Sequence, residues 1–286
     1  MGPLNMNMNM NMNMAAGILS ASGGAAPRVR YNTQDWWKYI NVGDPLTPPA
    51  AATMHFPEFW DADLRSYVYL SEFLGTYGLI SGVSPKPVWR QALDTAGIDL
   101  VPTHQDPNLN YEVQGILTVA LDREDRFLEI IDQNEAEGAI SYFSGMLMAD
   151  PSRYPKTNLL IHVARRVGEY IVMCLKEEFR CPRPSQLCAG IVPMIDPPST
   201  PSFPSGHSLQ ARLIALCLED ATPPMQPGHL LDDLAERIGR NRIIAGLHFP
   251  KDHLIGQKVA ETCFTLLKTG TKFQQLTLVA KTELSA

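Results

Sequence analysis

Apolar residues recur at helical spacing along most of the chain after Asp61. Leu64, Tyr67, Val68 and Leu74 follow the three- and four-residue steps of one helix face and predict a first helix. The same spacing predicts further helices over residues 113–131, 132–148, 156–179, 206–218, 229–249 and 252–268. The pattern therefore predicts an all-α fold, built as a helical bundle.

Residues 180–204 interrupt this pattern with seven prolines. Proline at this density is incompatible with a long helix or a central strand, so we predict one long ordered loop. Loops of this length without secondary structure are mostly either functional or disordered. Charged and polar residues at both ends of this loop favour a function.

The first 55 residues have a different composition, rich in Pro, Gly, Ala and Asn. Pro45, Pro48 and Pro49 prevent a long helix there. We expect residues 1–55 to form an irregular tail, disordered over residues 1–26, which include a Met-Asn repeat. Residues 56–286 are expected to form a single all-helical domain.

Composition and charge narrow the classes of partner. The chain has 286 residues, of which 45% are hydrophobic, and its net charge of −6 provides no general attraction for nucleic acid. Apolar segments such as residues 158–175 contain charged side chains, whereas a membrane span needs about 20 mostly apolar residues. Without a recognisable secretory signal, we expect a soluble, cytoplasmic protein. Homo-oligomerisation stays open.

The five cysteines do not follow the spacing of a zinc site. Cys174, Cys181 and Cys188 recur every seven residues rather than in closely spaced pairs. We expect free thiols, as in a reducing compartment.

Two cations flank the start of the Pro-rich segment. Lys176 lies on the last predicted turn of its helix, and Pro182 and Pro184 hold Arg183 in an extended conformation. Both side chains could therefore reach one anion from different directions. Taken alone, cations at a helix C-terminus are more often explained by the helix dipole.

A second cluster, Ser205-Gly206-His207, lies where the Pro-rich segment meets an apolar helix. Ser205 is placed to cap that helix, and Gly206 allows close approach of the backbone, so several N–H groups would point at a bound oxyanion. His207 can transfer a proton near neutral pH. A Ser-Gly pair before a helix is also an ordinary cap.

The third cluster contains Arg242, His248 and Asp252. If the turn between them is helical, the Asp252 carboxylate can accept the His248 N–H and leave the other ring nitrogen free to attack. Pro250 disfavours helical geometry at the residue before it, so we expect a bend. Arg242 lies six residues before His248, and its side chain would have to reach around the helix.

Together the three clusters read Lys-x6-Arg-Pro, Pro-Ser-Gly-His and Arg-x5-His-x3-Asp. In order and spacing they resemble the signature of the superfamily of type 2 phosphatidic acid phosphatases and vanadium-dependent haloperoxidases. The resemblance covers residues 176–252 and implies a helical bundle. Asn241 is a departure, because the third motif usually has Ser there. Asn still donates hydrogen bonds, so only one supporting contact is in doubt.

For a phosphatase the resemblance implies a metal-independent, cofactor-free mechanism in the domain at residues 56–286. The non-bridging oxygens of a small phosphorylated substrate would be bound by cations and donors, and His248, oriented by Asp252, would attack phosphorus to give a phosphohistidine. His207 would protonate the leaving alcohol. The implied oxyanion-binding residues are Lys176, Arg183, Ser205, Gly206 and Arg242.

Two alternatives remain at this stage. A haloperoxidase of the same superfamily would hold vanadate in this site, with His248 as the vanadium ligand, and oxidise halide with hydrogen peroxide. Thr200 occupies a position where chloride or bromide oxidisers tend to carry Phe or His, and the chain is short, so we favour the phosphatase. The third possibility is a catalytically silent protein that binds phosphate.

Overall fold

The structure is a computed structural model, and it describes residues 61–79, 85–135, 138–222 and 229–285. The predicted tail at residues 1–55 lies outside these ranges. The described residues form helices and contain no strand, which confirms the all-α prediction. The helices are α1 (Ala62–Tyr77), α2 (Val88–Thr95), α3 (Leu109–Val119), α4 (Arg123–Asp132), α5 (Gly138–Met146), α6 (Pro155–Phe179), α7 (Pro184–Leu187), α8 (Gly206–Ala221), α9 (Leu230–Ile244), α10 (Pro250–Leu267) and α11 (Thr271–Leu284).

The core forms around α6 and α8. Helix α8 packs against α6, α9 and α10, whereas α1 and α11 pack against α6. Leu160, Val167 and Leu209 are fully buried in the main apolar cluster. A buried carboxylate, Asp63 of α1, accepts a 2.8 Å hydrogen bond from Arg165 of α6 and joins these two helices. Helices α6, α8, α9 and α10 thus belong to one packed core, which fixes the positions of their ends relative to one another.

Several helix boundaries differ from the predicted ones. Residues 113–131 do not form one helix, because a 3-10 turn at Ala120–Asp122 separates α3 from α4, whose first turn is acidic as helix N-termini prefer. The predicted helix 132–148 begins only at Gly138, where a side chain would collide with the Asp132 carbonyl. Helices α2 and α11 were not predicted.

The Pro-rich segment is also not wholly a loop. It contains the short helix α7, which starts at Pro184. Proline is tolerated at the first position of a helix because that N–H needs no partner within the helix. The expectation that residues 180–204 exclude helix was therefore wrong over four residues.

None of the helices in the described part of the chain is both long and apolar enough to cross a membrane. The five cysteines, all within the described ranges, are free thiols, as predicted.

Candidate active site

Lys176 is buried at the end of α6, under the Pro-rich segment. It lies in the last turn of α6, as predicted, and the helix stops at Arg180 in a left-handed conformation. Its ammonium donates to the carbonyl oxygens of Pro201 and, at 3.3 Å, of Ser202. Burial, followed by the charge of Arg183, lowers the Lys176 pKa well below its usual value. Lys176 is thus a desolvated cation for which an anion would be a favourable partner.

Arg183 connects the Pro-rich segment to the third motif. Its backbone is extended, as predicted, and its guanidinium donates to the carbonyl oxygens of Thr200 at 3.0 Å and Leu247 at 2.9 Å. One of its nitrogens lies 3.0 Å from Nε2 of His248. Burial lowers the Arg183 pKa to about 10. The first and third motifs therefore meet at this guanidinium.

Ser205 and Gly206 begin α8, as the sequence predicted. The Ser205 hydroxyl accepts from the backbone N–H of Ser208 at 3.4 Å, and the Ser205 N–H donates to the carbonyl oxygen of Asp252 at 3.0 Å. Ser205 and Gly206 are buried. The start of a 16-residue helix is thus joined directly to the third motif, with its positive dipole end close to the cations.

Arg242 is fully buried in the last turn of α9. One terminal nitrogen donates to the carbonyl oxygen of Ile130 at 2.9 Å and to Oε1 of Gln133 at 3.2 Å. Its Nε and Nη1 find no hydrogen-bond partner among the described residues. Burial lowers the Arg242 pKa to about 10. Two buried donor nitrogens of a cation without acceptors are the strongest local indication of an anion site.

A tight turn after α9 brings His248 close to the cations. Gly246 has a φ of +75°, and the N–H groups of Gly246 and Leu247 donate back to the carbonyl oxygens of Ile243 at 2.8 Å and Arg242 at 3.0 Å. This pair of bonds is the Schellman arrangement that ends a helix. It explains why α9 stops at Ile244 and not at the predicted Phe249.

His248 and Asp252 form the contact expected of an oriented nucleophile. Nδ1 of His248 lies 3.3 Å from Oδ2 of Asp252, although His248 precedes α10 and Asp252 is within it. Since a carboxylate only accepts, the network assigns the proton to Nδ1 and leaves Nε2 unprotonated towards Arg183. Burial, followed by the charge of Arg183, lowers the His248 pKa well below its usual value. The ring is therefore neutral.

Asp252 is completely buried and receives several further hydrogen bonds. Thr103 Oγ1 donates to it at 2.6 Å, the Phe249 N–H at 3.1 Å, and the Ser202 hydroxyl makes a short contact. Burial alone would raise its pKa, but the hydrogen bond with His248 and the hydroxyl donors lower it overall. Asp252 thus stays a carboxylate and fixes the His248 ring.

His207 reaches the same region from the first turn of α8. Its Nε2 lies 3.2 Å from the backbone carbonyl oxygen of Gln133, which can only accept, so Nε2 carries a proton. Burial, followed by the charges of Arg242, Arg183 and Lys176, lowers the His207 pKa to about 3. The three cations that act on His207 come from the first and third motif clusters, so the side chain of the second cluster lies within the electrostatic range of the other two.

Sequence comparison finds similarity between this chain and acid phosphatases. The chain is similar to the non-specific acid phosphatases of Salmonella typhi and Salmonella typhimurium, each 26% identical over 197 residues that cover 64% of this chain and 77% of theirs. The resemblance to the type 2 phosphatidic acid phosphatase superfamily is confirmed. No family model matches the chain. A solved transmembrane PAP2-type phosphatidylglycerolphosphate phosphatase from Bacillus subtilis is 21% identical, with a TM-score of 0.32, over 73% of this chain and 94% of that one.

The departure from the superfamily pattern at Asn241 is accommodated by its neighbours. Asn241 donates to Oε2 of Glu129 and to Oε1 of Gln133, both at 3.0 Å. Gln133 in turn holds Arg242 through its side chain and His207 through its backbone. The amide thus supports the site through Gln133.

Gln133, Thr103 and Ser202 were missed by the sequence analysis. Gln133 and Thr103 carry no local signal, since they contact motif residues more than 70 positions away. Ser202 precedes the second superfamily motif by two residues, and its place in a Pro-rich segment beside Ser205 was a usable signal. His253, the residue after Asp252, is also buried.

Proposed function

We propose that this chain is a metal-independent phosphatase that hydrolyses a phosphomonoester or diphosphate through a phosphohistidine. The observation that carries the proposal is the setting of His248. Its unprotonated Nε2 faces a guanidinium, and Asp252 holds its other nitrogen. A neutral, oriented imidazole beside desolvated cations is suited to attack an anionic phosphoryl group. The similarity to acid phosphatases supports the same reaction class.

In the first step a phosphoryl group would be bound by the buried cations. Arg242 would use its unpartnered Nε and Nη1 on two non-bridging oxygens, and Lys176 and Arg183 would turn from protein acceptors to the substrate. The Ser205 hydroxyl and the Gly206 N–H would complete the cradle at the start of α8.

In the second step Nε2 of His248 would form a bond to phosphorus while the bond from phosphorus to the leaving oxygen breaks. Asp252 stabilises the positive charge that develops on the ring. His207 would give the leaving oxygen a proton from Nδ1, because Nε2 is engaged with Gln133. Attack of water on the phosphohistidine, with His207 taking its proton, would release inorganic phosphate and regenerate His248.

The low pKa of His207 is consistent with this role only when an anion is bound. In the free protein, burial and three cations hold the ring neutral. A bound phosphate dianion offsets those positive charges and raises the His207 pKa towards the range needed for a general acid. Substrate binding and charging of the acid would thus be coupled.

Vanadate would fit the same residues, because it is a tetrahedral oxyanion and the unprotonated Nε2 of His248 could bind a metal centre in place of its contact with Arg183. Bound vanadate would supply activation of peroxide. Lys176, Arg183 and Arg242 would bind its oxygens as they bind those of phosphate. The haloperoxidase function uses the same residues as the phosphatase function, so an activity assay is needed to distinguish them.

The test pairs two activities with two variants. Hydrolysis of a chromogenic phosphomonoester is measured with chelator present, beside peroxide-dependent bromide oxidation after vanadate loading. His248→Asn should abolish hydrolysis, whereas His229→Asn, the same change at an exposed histidine, should leave it unchanged. Turnover quenched with alkali, in which a phosphohistidine is stable, should trap phosphate on His248, detected by mass spectrometry. Bromide oxidation without hydrolysis would favour the haloperoxidase, and phosphate binding without either activity would favour a silent binder.

A further inference from the structure

A hydrogen-bonded chain of side chains leads away from Ser205 towards the surface. Ser205 Oγ lies 2.8 Å from Ser208 Oγ, Ser208 Oγ lies 2.9 Å from Nδ1 of His253, and Nε2 of His253 lies 3.0 Å from Oε2 of Glu236. Ser205 and Ser208 are fully buried, and the His253 side chain is 9% exposed. The motifs account for Ser205 alone, so the other three residues have no role in the proposed mechanism.

Two glycines make room for this series of hydrogen-bonded side chains. A Cβ on Gly239 of α9 would lie 2.4 Å from Nδ1 of His253 and 2.8 Å from the Ser208 hydroxyl. A Cβ on Gly256 of α10 would lie 2.8 Å from the Ser205 carbonyl oxygen. Since real side chains do not approach so closely, α8, α9 and α10 can enclose this chain only with glycine at both positions.

The hydrogen bonds from Ser205 through Ser208 to His253 can have two donor directions, and the protonation state of His253 determines which one is present. When His253 is protonated, it donates to Glu236 and to Ser208, so Ser208 donates to Ser205. The Ser205 hydrogen is then free for a ligand. When His253 is neutral with its proton held towards Glu236, Nδ1 accepts from Ser208, and Ser208 must accept from Ser205. The Ser205 hydrogen is then used inside the protein.

We propose that His253 is a positioning residue whose protonation state turns the Ser205 hydroxyl towards or away from a bound oxyanion. Glu236 holds the imidazolium form, Ser208 transmits the change, and Ser205 either donates to the oxyanion or does not. The inference rests on the oxyanion site of the proposed function and adds its regulation by pH. No catalytic contact of His253 is involved.

The charges around His253 favour this arrangement. Among the described residues, Glu236 of α9 is the charged group in contact with the ring, Ser208 of α8 is neutral, and Gln257 of α10 donates to Glu236 at 2.6 Å. The hydrogen bond from His253 lowers the Glu236 pKa to about 2, with Arg240 contributing its charge. Glu236 is therefore a carboxylate throughout the range in which a histidine titrates.

The test uses inorganic sulfate, a tetrahedral dianion whose charge is constant between about pH 5 and 8. Its dissociation constant is measured by calorimetry across this range for the full chain and two variants. In Ser208→Ala the Ser205 hydrogen is free at every pH, and in Ser205→Ala it is absent at every pH. The sulfate affinity of the wild type should equal that of Ser208→Ala at the acidic end of this pH range and that of Ser205→Ala at the alkaline end.

The two variants should differ by about tenfold to 100-fold in affinity, the usual effect of one hydrogen bond to a charged group. Glu236→Gln should move the changeover of the wild type to lower pH, because it removes the carboxylate that favours the imidazolium. Glu219→Gln, the same change at an exposed position of α8, should not move it. Circular dichroism of each variant shows that the compared proteins are folded.

A ratio of wild-type to Ser208→Ala affinity that is constant with pH would overturn the inference, since a merely structural role affects all pH values alike. Absence of sulfate binding to the wild type would also overturn it, whatever the phosphatase assay shows. Linked binding without hydrolysis would support the inference while the proposed function fails. Hydrolysis with a constant ratio would do the reverse.

Discussion

Arg242 is a buried cation with unused donors, so replacing it with methionine should stabilise the free protein and remove its affinity for phosphate. Burial lowers the Arg242 pKa from its usual 12.5 to about 10, which corresponds to about 3 kcal/mol against the charged form at about 1.4 kcal/mol for each pH unit. The sign of the effect on stability follows from the direction of the pKa shift. A cation with a lowered pKa in the fold destabilises it at all pH values below that pKa.

Two hydrogen bonds offset part of this gain. Arg242→Met removes the donor to the Ile130 carbonyl and one of the two donors to Oε1 of Gln133, which also accepts from Asn241, at about 1 kcal/mol each. The net expectation is a variant more stable by about 1 kcal/mol, or about 2–4 °C in Tm. With phosphate at about 100 times Kd, the wild type should gain about 2.7 kcal/mol and the variant nothing. The order of stability should therefore reverse.

The assay is scanning calorimetry of both proteins with and without phosphate, beside Arg240→Met as the same change at an exposed position of α9. Arg240→Met should keep the wild-type response to phosphate. A variant Arg242→Met that is several kcal/mol less stable without phosphate would show that the free protein already compensates this charge. If phosphate stabilises Arg242→Met as much as it stabilises the wild type, Arg242 does not belong to the oxyanion site.

Three further changes test the turn, the orienting carboxylate and the supporting network. Gly246→Ala should destabilise the fold by about 2 kcal/mol and weaken phosphate binding, because Gly246 has a positive φ and the added Cβ would lie 3.0 Å from the guanidinium of Arg123. Gly97→Ala is the control, because Gly97 has a φ of +67° and no atom of the described residues lies near its added Cβ. It should destabilise the fold less and leave phosphate binding unchanged in calorimetry. Asp252→Asn should lower kcat at least about 100-fold with little change in KM, and an unchanged kcat would contradict its orienting role. The hydrogen bond from Arg237 lowers the Glu129 pKa from 4.5 to about 2, so the carboxylate stabilises the fold above that range and loses this effect as pH falls through it. The Tm difference between wild type and Glu129→Gln should thus be largest above about pH 5 and vanish near pH 2, whereas a constant difference would contradict it.

Local rules were sufficient for the parts of the site that lie within one turn of the chain. A serine before an apolar helix predicted the cap at Ser205, two flanking prolines predicted the extended Arg183, and the position of Lys176 at a helix end followed from periodicity. Each of these features is fixed by the conformational preferences of a few neighbouring residues. The helical class followed in the same way from the spacing of apolar positions.

Tertiary contacts determined what the sequence did not predict. Gln133 holds both Arg242 and His207, yet it lies in the turn between α4 and α5, which was predicted to be the first turn of the helix at residues 132–148. Helix α2 is short, and its periodic pattern spans only two turns. The hydrogen-bond partners of His253 are on α8 and α9, so no local pattern around this residue identifies them.

Several residues of the superfamily signature disobey the ordinary rule that charged side chains stay out of a protein core. Lys176, Arg183 and Arg242 are buried cations, and of the motif residues only Asp252 is a buried anion. In a chain with a net charge of −6, this local excess of positive charge has no role in solubility or in general attraction. Each of the three cations has a lowered pKa, so each weakens the free fold. A tetrahedral dianion would offset these charges and accept from the unused donors of Arg242, and for that reason we expect the fold to be most stable with its ligand bound.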